Sequence, residues 1–105
     1  MQASTPRHLT NSEVAQALKH PLRRKLVRAF GAVHPLSPKE ASHQIGAPLS
    51  DVCYHVRVLV DFGFLALHSK EQVRGAQKNY YVPNREVLNS PKVEALLRRG
   101  PADAT

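Results

Sequence analysis

Tryptophan is absent from this sequence, and cysteine and methionine each occur once. A single thiol, Cys53, excludes an internal disulfide framework and suits a reducing compartment. No apolar run approaches the roughly 18 residues that a bilayer-spanning helix needs. The stretch from Met1 to Thr10 is polar and shows no h-region of a secretory signal. Six histidines invite a metal site, but no Cys-x-Cys, Cys-x-x-Cys or His-x-x-x-His pair occurs. Neither a nucleophile–base–orienter set nor a glycine-rich phosphate cradle is present, so no enzyme activity and no cofactor are expected. Acidic residues are the minority, 8 against 15 Lys and Arg, which leaves a net charge of +7. With 105 residues, 42% of them apolar, the chain can close one small core and not two. The expectation is a basic, intracellular single domain.

The positive charge is clustered. Arg23, Arg24, Lys25 and Arg28 fall in one stretch, and Arg57, Lys70, Arg74, Lys78 and Arg85 occupy the later half. An excess of this size on a small domain favours a polyanionic partner, most commonly nucleic acid, over a solvated basic face kept for solubility. No long basic amphipathic helix stands apart from the core-type residues, so a membrane surface is not the expected partner.

Breaker signals divide the chain. Thr10 and Glu13 form a capping box ahead of a first helix with Val14, Ala17 and Leu18 on one stripe, ending near Lys19 and His20. His20 reads as a helix-entry cap. Pro21 opens a second helix with Leu22, Leu26, Val27 and Phe30 facing inward and Gly31 as its stop. Ser37, Pro38 and Glu40 start a short third helix, with Ala41 and Ile45 inward and Gly46 ending it. A fourth helix is predicted from Pro48 or Leu49 to Phe62, closed by Gly63. Phe64–Lys70 reads as a strand, Glu71 to Ala76 as a turn, and Lys78–Val82 as the returning strand, stopped by Pro83. Ser90, Pro91 and Glu94 start a last helix carrying Val93, Leu96 and Leu97, which Gly100 ends. The predicted fold is mainly α with a small β-hairpin, a winged helix-turn-helix of order α-α-α-α-β-β-α, occupying residues 10–99. Residues 1–9 and 100–105 are expected to be flexible tails.

The motifs in that order carry a resemblance. Ala17-Leu18-Lys19-His20-Pro21-Leu22-Arg23-Arg24-Lys25-Leu26-Val27 is similar to the "ALxHPxRxxIL" entry of ArsR-like (arsenic-repressor-like) winged-helix regulators. Ser37-Pro38-Lys39-Glu40-Ala41 resembles their "LSxxELA" segment. The run from Val52 to Leu65 resembles their recognition-helix pattern "VSxHLxxLxxxGLV", and Arg74 to Tyr81 the wing motif "RxGxxxxY". The match covers Val14 to Val82. It implies a bacterial-type transcription regulator, typically a repressor, working as a homodimer with two recognition helices on one double-stranded DNA site. Such a protein would be cytoplasmic, and nucleoid-associated when bound to DNA. Many relatives sense metal through a cysteine cluster or through acidic and histidine pairs on the last helix. Here Cys53 stands alone and Ser90 to Gly100 holds neither His nor Cys, so metal sensing is not carried over.

The residues of the fourth helix can be read without the resemblance. Val52, Val56 and Leu59 share one face and should pack on the domain. Ser50, Tyr54 and Arg57 lie opposite, with Cys53 and Asp51 at the margins. Arginine pairs bidentately with guanine, serine meets donors or acceptors, and Tyr54 offers a ring to a thymine methyl and a hydroxyl to a phosphate. Asp51 would repel phosphate and fits instead a cytosine amino group or the helix N-terminus. Arg74 and Lys78 flank the tip of the 71–78 wing, where basic side chains gain from a narrow minor groove; the same charges would also protect a hairpin edge from aggregation. Ser37 and Lys39 stand at a helix N-terminus that favours a phosphate, with capping as the other role for Ser37. DNA-facing residues are thus Ser37, Lys39, Ser50, Asp51, Cys53, Tyr54, Arg57, Arg74 and Lys78. Arg23, Arg24, Lys25 and Arg28 fit either flanking phosphates or the outer side of a core helix. Val14, Leu18, Leu96 and Leu97 offer a dimer surface or a closure of the monomer's own core. His55 reads as a packing or phosphate residue.

Two other functions stay open at this stage. One is a winged-helix module for protein–protein assembly with no DNA operator, and the other is a thiol-redox sensor through Cys53. Double-stranded RNA is a weaker partner, because the deep A-form groove excludes a recognition helix.

Overall fold

A computed structural model describes residues 10–99. Its elements are α1 (Asn11–Ala17), α2 (Pro21–Ala32), α3 (Pro38–Ile45), α4 (Leu49–Phe62), β1 (Leu65–Val73), β2 (Ala76–Pro83), α5 (Arg85–Leu88) and α6 (Pro91–Arg99). This is the predicted winged helix-turn-helix order, with one added turn of helix, α5. The expected tails, 1–9 and 100–105, lie outside the described residues.

Local chemistry sets most boundaries. In α1 the Glu13 amide donates to Thr10 Oγ1 at 3.1 Å while the Thr10 amide donates to Glu13 Oε1 at 3.0 Å. Ahead of α2, His20 Nδ1 accepts from the Leu22 amide at 3.2 Å, the cap read from its position before Pro21. Ser37 and Glu40 make the same reciprocal box at α3. Gly46 and Gly63 end α3 and α4 at φ 78° and 92°, in the left-handed region that glycine enters without a Cβ penalty.

Several features differ from expectation. Helix α1, expected to run to near Lys19 and His20, ends at Ala17. Helix α2 passes through Gly31 and ends at Ala32, because Gly31 keeps helical geometry and the chain turns extended only at Val33. The wing is longer than predicted: the expected turn over 71–76 shrinks to Arg74 and Gly75, between paired Val73 and Ala76. Both turn residues have positive φ, 50° and 80°, as a two-residue hairpin of the favoured hand requires. Helix α5 follows from Asn84, whose side chain accepts from the Glu86 amide at 3.1 Å.

The core gathers one face of every helix that packs inward: Leu18 from α1, Phe30 from α2, Ala41 from α3, Val52 and Leu59 from α4, and Val93 from α6, with Phe64 beneath them. This corrects half of the expected dimer surface. Val14 and Leu18 are buried within the protomer, because α1 packs against α4 and α6 and its stripe finds its partner there. Leu96 and Leu97 are half-buried against the same core. The antiparallel hairpin is tied down at its base, where Leu36 and Tyr81 exchange amide–carbonyl bonds of 3.1 and 2.9 Å. The wing therefore leaves the body beside the start of α3. No helix among the described residues is long and apolar enough to cross a membrane.

Candidate nucleic-acid interface

The turn between α3 and α4 is held by Ser42 Oγ, which donates to the Ala47 carbonyl at 2.6 Å. It aims α4 so that Val52, Val56 and Leu59 are buried, as their spacing requires. Ser50, Asp51, Cys53, Tyr54 and Arg57 are all exposed on the other side. Tyr54 is 59% exposed, a large value for an aromatic side chain.

His55 resolves to packing. It is 8% exposed, lies against His20 with ring centroids 4.3 Å apart and planes tilted by 46°, and meets the Tyr54 ring edge-on at 5.0 Å. Its Nδ1 is buried without a hydrogen-bond partner among the described residues. Burial, then the neighbouring His20 and Arg23, push its pKa down, and Asp51 opposes them. The His55 imidazole thus links α4 to the cap of α2 and backs the Tyr54 ring. Cys53 is exposed while His55 is buried, so the only close Cys–His pair in the sequence points two ways. Among the described residues no group of three or more His, Cys, Asp and Glu could hold a metal ion.

Between α4, the N-terminus of α3 and the wing runs an open groove of about 580 Å³. Lys39, Leu49, Cys53, Val73, Arg74 and Lys78 line it. Five of the sequence-predicted residues, Ser37, Lys39, Cys53, Arg74 and Lys78, thus come together there. Lys78 is not wholly free: its Nζ lies 3.6 Å from Glu40 Oε2 and 5.4 Å from the centre of the Tyr80 ring. Hydrogen bonding with Tyr80, then the charge of Glu40, raises its pKa. The Ser37 backbone amide is the main cause that lowers the Glu40 pKa, with help from Lys78. The capping carboxylate of α3 therefore also pairs with a wing cation.

Ser37 is a correction. Its side chain is 1% exposed and its hydroxyl accepts from the Glu40 amide at 3.2 Å, so it caps the helix and offers nothing to a phosphate. The basic stretch of α2 is also largely engaged. Arg24 Nη1 donates to the carbonyls of Leu18 and Lys19, at 2.6 and 3.0 Å, at the C-terminal end of α1. Arg28 donates to the Leu97 carbonyl in α6, and Arg23 is half-buried, whereas Lys25 is exposed. Sequence reasoning placed Glu40 at the start of α3 but missed its pairing with Lys78, far along the chain, and missed the exposed apolar pair Leu49 and Val73. The spacing of Leu49 four residues before Cys53 was the available signal for the first of that pair.

Comparison with protein-family models and with curated proteins returns no match.

Proposed function

We propose that this chain is a sequence-specific double-stranded-DNA-binding transcription regulator of the ArsR-like winged-helix kind, cytoplasmic, without enzyme activity, and acting as a homodimeric repressor. One observation carries the reading: the cations of α3 and the wing line one groove with Leu49 and Cys53 of α4, the helix that leaves Ser50, Asp51, Tyr54 and Arg57 exposed. A duplex fits that arrangement in two steps. Lys39, Arg74 and Lys78 capture phosphates, which fixes register and orientation. Ser50, Asp51, Tyr54 and Arg57 then face base edges in the major groove, where each base pair shows a distinct set of donors and acceptors.

The backbone at the wing tip supports this. Arg74 holds φ 50°, a conformation that costs a side-chain-bearing residue about 1–2 kcal/mol. Asparagine or glycine would suit the turn better, so a long cation at that position is explained by what it reaches. With Val14 and Leu18 enclosed, a two-fold partner has the flank of α6 near Leu96 and Leu97 to pack against.

The test is recovery of bound fragments from a pool of random duplexes at physiological salt, using the full chain. An enriched palindromic site is the expected result and establishes both dimer and specificity. A pool that stays unenriched, with binding insensitive to salt, refutes the reading in favour of a protein-assembly module.

A further inference from the structure

Leu49 and Val73 are out of place on a polar, cationic interface. They are 44% and 39% exposed, and neither belongs to the core or to the side chains packed on it. Exposed apolar residues scattered singly are ordinary, but these two are not scattered. Leu49 opens α4, Val73 ends β1, and both line the groove together with exposed Cys53. Leu49 and Cys53 stand four residues apart, neighbours on one ridge of the helix. Lys39, Arg74 and Lys78 line the same groove. The result is an apolar patch accompanied by cations.

Such a surface fits a ligand that is polyanionic along its length and carries a small apolar group on an inner edge. Charge complementarity selects a nucleic-acid strand. The apolar group that a DNA duplex displays in its major groove is the 5-methyl of thymine. The N-terminal residues of a recognition helix are the ones that meet base edges, and Leu49 is the first residue of α4.

We propose that Leu49, Cys53 and Val73 form a thymine-methyl subsite that fixes one position of each half-site. This rests on the DNA-binding reading above. Cytosine at that position leaves the patch without its methyl group. A purine places polar N7 against it. Uracil differs from thymine by the methyl group only, which makes it the clean probe.

The experiment uses the full chain and the duplex enriched from the random pool, with each thymine replaced singly by uracil. Burying one methyl group is worth roughly a fourfold change in affinity. We expect about that loss at one thymine per half-site and no change at the others. Leu49→Asn, and separately Val73→Thr, should bring that thymine–uracil ratio below about twofold, because both side chains are exposed and neither supports the core. Lys39→Ala should weaken thymine and uracil duplexes alike. Uracil tolerated at every position, or a penalty undiminished in both variants, overturns the subsite while leaving DNA binding intact. A chain that enriches no duplex overturns the subsite and the DNA-binding reading together.

Discussion

Replacing Arg74 by asparagine should move stability and DNA affinity in opposite directions. In the native hairpin the turn is two residues long and Arg74 sits at φ 50°, in the left-handed region, ahead of Gly75 at φ 80°. That conformation costs an ordinary L-residue about 1–2 kcal/mol, and asparagine enters it several-fold more readily. Arg74→Asn should therefore recover about 0.5–1 kcal/mol. At about 4–8 °C per kcal/mol for a domain of this size, the Tm should rise by about 2–8 °C. On the DNA side, the three phosphate-capturing cations Lys39, Arg74 and Lys78 give a salt slope of about −2.7 per protomer, at about −0.9 for each phosphate neutralised. Losing Arg74 should reduce it to about −1.8. Between about 50 and 200 mM salt the native protomer would then lose about 40-fold in affinity and the variant about 12-fold. In a dimer both slopes double. Thermal unfolding followed by circular dichroism reads the first effect, and anisotropy of a labelled duplex across a salt series reads the second. Arg74→Lys is the control: it keeps the charge and the strained backbone, so both readouts should stay near native. A Tm that falls in the asparagine variant refutes the strain argument. A slope that does not change removes the wing tip from the phosphate backbone.

Glu40→Gln should leave thermal stability close to native, because glutamine also serves the third position of a capping box. It removes the carboxylate that competes for Lys78 at 3.6 Å, so duplex affinity should rise while the salt slope stays near native; an unaltered affinity would mean that Lys78 stays off the DNA. The buried His55 has its pKa lowered from the ordinary 6.5, chiefly by burial and then by His20 and Arg23. Its unfolded form therefore binds the proton first as pH falls, so stability from this group is complete above about pH 6.5 and is lost as pH drops below it. Unfolding curves at pH 8, 7, 6 and 5 should show that loss in the native chain, and His55→Leu should flatten it over the same interval. Leu18→Ala should cost about 2–5 kcal/mol, as a cavity in a closed core does. The loss should not depend on protein concentration. A concentration-dependent loss would return Leu18 to a subunit interface.

What could be read from the chain divides by the range of the interaction. The helix starts at Thr10, Pro21, Ser37 and Ser90 depend on residues within three positions of one another, so they were legible without a structure. So was the buried side of α4, because Val52, Val56 and Leu59 repeat at helical spacing. The wing turn was misread because Glu71, Gln72 and Gln77 look like loop residues. They sit in strands since each is paired across the hairpin, Glu71 with Lys78 and Gln72 with Gln77, and cross-strand pairing carries no short-range signature. Helix α5 was missed for a different reason: at four residues it shows no period. The role of Val14 and Leu18 was ambiguous for a third. An apolar stripe announces that it will be covered, but whether by this chain or by another copy depends on where α6 returns.

The same distinction limits what net charge says about an interface. The excess of +7 is a sum over the whole chain, yet cations differ in what already surrounds them. Arg24 and Arg28 answer helix carbonyls at the ends of α1 and α6, where a positive group also meets the negative end of the helix dipole. Arg85 donates to His34 Nε2 at 3.2 Å, and Lys78 shares its charge with Glu40. Lys39, Arg57 and Arg74 are exposed, and all stand on the elements that bound the groove: α3, α4 and the wing. On the proposed reading, the polyanion meets the cations of α3 and the wing rather than the charge of the whole chain. Neutralising Arg24 should destabilise the fold with little change in salt slope, and neutralising Arg74 should do the reverse. Two arginines of identical charge would then differ in both assays, which no account built on total charge can produce.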